Sequence, residues 1–133
     1  GTPGVDIDWR NQNTFFLKTG EAKTYIGKYR GVNRIPLLKL SEMYLIAAEA
    51  SGDKGYLQTL RDHRGYVNYP LEENCDLAAE IEAEYRKEFM AEGQLFYYYK
   101  RLDYNTLPDM GVVMTGNYVF PMPDDEMEFG DIK

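Results

Sequence analysis

Glu88 and Glu92 are the two side chains whose type and spacing best suit shared chemistry. Four residues apart in a helical stretch, they project from one face, and two such carboxylates can divide acid and base roles in glycoside hydrolysis. The same spacing is common where helices pair with Arg or Lys of a neighbour, and that structural reading is preferred. His63 is the only histidine. Set in Arg61-Asp62-His63-Arg64 near a helix end, it reads as a solvated or carbonyl-capping imidazole rather than a catalytic base. There is no glycine-rich phosphate loop, nucleophile elbow or pair of histidines. Asp124, Asp125, Glu126, Glu128 and Asp131 are acidic enough to attract calcium. They lack the alternating ligands and central glycine of an EF-hand loop, and read as a solvated terminus. No metal or cofactor is expected, and no catalytic residue is assigned.

The aromatic side chains point to binding instead. Twelve of the nineteen are tyrosine, and Tyr97, Tyr98 and Tyr99 are consecutive, so at 100° per residue they cannot all enter one core. Exposed Tyr and Trp offer a flat apolar face and a polar tip, which suits stacking on sugar rings or anchoring a partner. Packing against further helices is the preferred reading of Tyr97–Tyr99. Trp9, Tyr66 and Tyr69, in loops, are the candidate carbohydrate-binding residues.

These residues must be carried by a mainly α fold. Residues 1–37 are broken by glycine and proline and read as irregular, with Thr14–Lys18 and Lys23–Ile26 as the strands of a small hairpin around Thr19-Gly20. The helices fall in 38–103. Leu38–Ala50 is almost unbroken apolar sequence with Glu42 and Glu49 seven apart, a pattern that predicts a nearly enclosed helix stopped by Gly52. Its small residues Ala47, Ala48, Ala50 and Ser51 invite close packing. Tyr56–Arg64, with Leu57 and Leu60 on one face and Gly65 as its stop, completes an antiparallel helical hairpin. Tyr66–Glu73 reads as a loop. One long helix is expected from about Asp76, its N-cap, to about Asp103, with Ile81, Tyr85, Phe89 and Phe96 as its apolar stripe and Gly93 as a kink or crossing point. Beyond Leu107-Pro108, residues 104–133 read as an extended strap, anchored by Tyr118–Pro123.

Length and charge narrow the possibilities further. A chain of 133 residues with 44% hydrophobic and 28% charged residues builds one core, so 1–133 is expected to be a single domain. The net charge of −7 argues against a nucleic-acid-binding face. Residues 1–40 hold seven Lys or Arg against three Asp or Glu, a local +4, and residues 41–133 hold eight against nineteen, a local −11. Such asymmetry predicts that the opening segment lies on acidic surface, in this chain or beyond it. With Cys75 alone, neither an internal disulfide nor a thiolate metal cluster can form. No apolar run has the length to span a bilayer, and the start Gly1-Thr2-Pro3-Gly4 reads as a processed or trimmed chain.

Four segments, taken in order, resemble the C-terminal half of SusD/RagB proteins. The first is Arg34-Ile35-Pro36-Leu37-Leu38-Lys39-Leu40-Ser41-Glu42-Met43-Tyr44-Leu45-Ile46-Ala47-Ala48-Glu49-Ala50, a proline-led apolar entry to a helix ending in Ala-Glu-Ala. Leu60–Gly65 is similar to that family's next helix end. Glu84–Gly93, followed by Phe96 and Lys100-Arg101, is similar to its glutamate-rich helix, and Tyr118–Glu126 to its closing Pro-x-Pro strap. Together they span residues 34–126, about 70% of the chain. Leu95 and Tyr98 depart from the pattern, standing where many members have arginine and aspartate.

The resemblance implies a tetratricopeptide-like SusD fold carrying irregular decorations. It implies a non-catalytic nutrient-binding lipoprotein, lipid-anchored at the surface of a Bacteroidetes outer membrane, that takes up polysaccharide fragments or other nutrients with a TonB-dependent SusC-like transporter. In such a protein this chain would be the C-terminal portion, contacting the membrane only through an anchor placed elsewhere. The matching motifs are scaffold, so no ligand-binding residue is carried over. Glu42, Glu49, Arg61, Glu88 and Glu92 are read as contacts between helices. The alternative reading is a helical-repeat module for protein–protein interaction.

Overall fold

A computed structural model describes residues 8–17, 20, 22–107, 111, 113–114, 118–119, 122–124 and 128. The chain divides into two compact units, Gly1–Glu92 and Gly93–Lys133. Among the described residues the structure is mainly helical.

In the first unit a short helix α1 (Arg10–Thr14) runs directly into β1 (Phe15–Leu17), which pairs antiparallel with β2 (Thr24–Ile26) in the register Phe15 to Ile26, Phe16 to Tyr25 and Leu17 to Thr24. Gly27 N–H extends this ladder to Thr14 O at 2.7 Å. Lys18 and Thr19 of the expected hairpin lie outside the described residues.

The helical hairpin follows. Helix α2 (Leu40–Ser51) ends at Gly52, which adopts the left-handed conformation (φ 70°) and donates its N–H to Ala48 O, the chain reversal for which glycine carries no steric cost. Asp53 then caps α3 (Lys54–Arg61) by accepting from Gly55 N–H at 2.8 Å. Helix α3 continues into a π-helical turn, Asp62–Tyr66, in which Gly65 breaks the helical backbone at φ 105°. Helix α2 packs on α3 and on the helix that follows, and Leu45, Ala48, Leu57, Leu60, Ile81, Tyr85 and Phe89 are all buried. Helix α4 (Leu77–Glu88) starts on Asp76, whose carboxylate accepts from Ala78 and Ala79 N–H.

Two expectations need correction. The long helix to Asp103 does not exist: α4 stops at Glu88 and α5 (Gln94–Arg101) starts a separate element. Between them Ala91 (φ 61°) and Gly93 (φ 77°) are both left-handed, and two such residues cannot continue a right-handed helix. Nor is Leu38–Ala50 enclosed. The helix begins at Leu40, and Leu38, Leu40, Met43 and Ile46 are exposed.

In the second unit, Tyr98 and Tyr99 of α5 are buried whereas Tyr97 is exposed. Tyr118, within the expected strap, lies 5.6 Å from Phe96 between ring centroids. Its hydroxyl donates to Tyr104 O at 2.9 Å, and its carbonyl accepts from Lys100 Nζ at 2.7 Å. Phe120 and Pro121 of that strap, and Asp125, Glu126 and Asp131 of the acidic cluster, lie outside the described residues. Asp124 and Glu128 have helical backbone.

Candidate functional site

The first unit is organised around a row of carboxylates. Glu84 and Glu88 stand one turn apart on α4, and Glu92 follows four residues later beyond its end. The row runs beside the apolar stripe Ile81, Tyr85 and Phe89, so packing of that stripe carries the carboxylates inward with it. Glu84 is fully buried and Glu88 nearly so.

Cations from four other segments meet this row. The Arg10 guanidinium donates to Asp8 Oδ2 at 2.6 Å, to Glu84 Oε2 at 2.8 Å and to Glu88 Oε2 at 3.1 Å. Arg64 forks onto both oxygens of Glu88, at 3.1 and 2.9 Å, and the Ser41 hydroxyl also serves Glu88. Lys28 and Lys39 both pair with Glu92, and Lys87 pairs with Glu84. Every charge is thus compensated by a partner at close range, the condition under which burying charge is tolerable.

The electrostatics follow from that pairing. Burial disfavours the Glu88 carboxylate, but the hydrogen bonds and charge of Arg64, with Ser41 and Arg10, outweigh it and bring its pKa down to about 2. Glu92 is lowered in the same way, its bonds to Lys28 and Lys39 overcoming the cost of burial. Asp8 is lowered by Arg10 against its own burial. Lys28 is lowered because burial outweighs the support of Glu92, with the charge of Lys39 adding to the effect. A carboxylate with a pKa near 2 is neither a proton donor nor an efficient base at neutral pH. The arrangement can brace segments together; it is poorly suited to moving protons.

A cavity of about 470 Å³ opens beside this cluster, between Trp9, Leu38, Leu40, Ser41, Arg64 and Glu88. Trp9 lies along it and is 43% exposed. The indole N–H donates to His63 O at 2.9 Å, and the Arg64 guanidinium sits 5.3 Å from the ring centroid. Tyr66 is more committed: its ring lies near Arg61 at 4.8 Å and Lys87 at 5.3 Å, and its hydroxyl reaches Asp8 Oδ2 at 3.4 Å. Tyr69 belongs to a different recess, with Pro70, Leu71 and Cys75. The three aromatic candidates therefore do not form one platform. His63 is exposed, and only its carbonyl takes part in these contacts.

Of the side chains read as interhelical contacts, Glu88 and Glu92 lie in the cluster, and Arg61 pairs with Glu80 at 2.6 Å. Glu42 lies half-buried in the first turn of α2. Sequence reasoning missed Asp8, Arg10 and Glu84. The usable signals were the four-residue spacing of Glu84, Glu88 and Glu92, and the basic excess of residues 1–40, from which Arg10, Lys28 and Lys39 are drawn. Among the described residues, no group of His, Cys, Asp and Glu is arranged to hold a metal ion, and no helix is long and apolar enough to cross a membrane.

In comparisons with known proteins, the chain matches no family model, no curated protein and no solved structure.

Proposed function

We propose that this chain is the C-terminal portion of a SusD/RagB-like protein: a non-catalytic, tetratricopeptide-like scaffold that helps present glycans or other nutrients to a TonB-dependent SusC-like transporter. In this reading the full-length protein is lipid-anchored at the outer face of the outer membrane. The observation that carries the reading is the condition of the glutamates in the resembling segment. Glu84, Glu88 and Glu92 are all engaged in ion pairs with cations from distant parts of the chain, the behaviour of scaffold side chains and not of a reacting pair. The helical hairpin α2–α3 falls where the first two resembling segments lie.

Capture of a nutrient would use Trp9, whose ring borders the cavity, with hydrogen bonds from the polar side chains around it; Tyr69, which lines another recess, takes no part in that contact. Passing a ligand onward favours modest affinity and rapid release over tight retention. The test uses the full-length protein. Binding of an oligosaccharide panel by calorimetry, and co-purification with a barrel transporter from solubilised outer membranes, are the expected results. Absence of both overturns the proposal.

A further inference from the structure

The cations around the carboxylate row all have partners, but they outnumber it by one. Arg10, Arg64 and Lys87 meet Asp8, Glu84 and Glu88, three cations with three carboxylates. Lys28 and Lys39 meet Glu92 alone, and both ammonium groups take the same oxygen, Oε1. Among the described residues the cluster therefore carries one surplus positive charge, and it lies at the lysine pair. Burial and the neighbouring charge of Lys39 pull the Lys28 pKa down, as expected where two ammonium groups share one carboxylate.

Lys28 and Lys39 line the cavity of about 470 Å³ beside Trp9, with side chains only 17% and 12% exposed. Charges so far withdrawn from water are weakly screened and act strongly on whatever enters the cavity. Helix α2 adds to the field. It starts at the cavity wall with Leu40 and Ser41, and Lys39, its N-cap, makes no side-chain capping bond. A cation at the positive end of a helix dipole is the unfavourable arrangement, which an anion relieves. Tyr29 lines the cavity as well, and its enclosed hydroxyl donates to no described residue. The Glu88 carboxylate on the wall is already neutralised by Arg10 and Arg64.

We propose that the cavity takes an acidic saccharide unit, a hexuronate, with its carboxylate between Lys28 and Lys39 and its ring against Trp9, Leu38 and Leu40. One negative charge on the ligand matches the one surplus positive charge, and the volume lies within the range of small-ligand sites, about 300–1,000 Å³. The saccharide class rests on the nutrient-binding reading; the acidic group rests on the charge count.

The test is calorimetry on the full-length protein with a glucuronate-containing disaccharide and its carboxyl-reduced neutral counterpart. The acidic sugar is expected to bind roughly tenfold more tightly, the scale of one charge-assisted hydrogen bond, even though this chain's net charge of −7 repels anions in general. Lys28→Gln and Lys39→Gln each remove the surplus and leave Glu92 with one lysine, so each should abolish most of that preference with the circular dichroism spectrum unchanged. Equal affinity for the two sugars overturns the inference and leaves the nutrient-binding reading standing, whereas no affinity for either counts against both. A preference that survives both lysine substitutions overturns it too. So does displacement of the acidic disaccharide by acetate as effectively as by free glucuronate, because the cavity is then a general anion site. Acidic-sugar binding without co-purification of a barrel transporter sustains the inference and counts against the transporter role.

Discussion

Glu88 illustrates how a side chain's surroundings decide its role. Alone on a helix surface it would be an ordinary carboxylate; between Arg10 and Arg64 it is a buried anion that holds α4 against two distant segments. Removing one member of such a group leaves another charge buried without compensation, so Glu88→Gln is expected to cost about 3–5 kcal/mol, read from urea denaturation midpoints. The pH dependence has a definite sign. The folded pKa of about 2 lies below the ordinary 4.5, so the stabilisation is complete above pH 4.5 and is lost as the pH falls toward 2. It amounts to roughly 3 kcal/mol for this one group. Glu92 and Asp8, both lowered, act in the same direction. Denaturation across that window should show stability falling with acid, and the Glu88→Gln variant should show a shallower fall. A wild-type profile flat between these values would contradict the pairing described.

At the scale of elements, the informative residue is Gly93. A kink at this glycine was legible in the sequence, but a full break was not, because the apolar stripe Ile81, Tyr85, Phe89 and Phe96 keeps helical phase across it. Phase constrains which way side chains point and says nothing about whether the backbone between them is continuous. Ala91 in the left-handed region carried no sequence signal at all. The two architectures make opposite predictions for Gly93→Ala. In a continuous helix the substitution would stabilise by about 1 kcal/mol and raise helicity. With Gly93 at φ 77°, it should instead destabilise by about 1 kcal/mol without any gain in the 222 nm signal. By contrast, the stops at Gly52 and Gly65 and the cap at Asp76 were all readable, since each depends on local backbone geometry that only a few residue types satisfy.

For the molecule as a whole, Trp9 offers a direct probe, being the only tryptophan. Its emission should shift when an oligosaccharide occupies the adjoining cavity, and Trp9→Phe should weaken binding roughly tenfold, measured by calorimetry because the fluorophore is then gone. Tyr69→Ala should leave the Trp9 titration unchanged, because Tyr69 lines another recess. If Tyr69→Ala weakens binding as much as the Trp9 change, the ligand does not sit where Trp9 places it. The charge asymmetry also acts at this scale. The basic excess of residues 1–40 implied contact with acid, and Arg10, Lys28 and Lys39 do pair with Glu84, Glu88 and Glu92.

The sequence by itself determined the helical class, the α2–α3 hairpin with its glycine stops, the Asp76 cap and the shared face of Glu88 and Glu92, because periodicity, capping and backbone preference act over a few residues. Tertiary structure alone decided that Asp8 and Arg10 join that row, that Trp9 and Tyr69 face separate recesses, and that one side of α2 remains uncovered. Those outcomes depend on which distant segments meet, and pairing across more than fifty residues leaves no mark in local spacing.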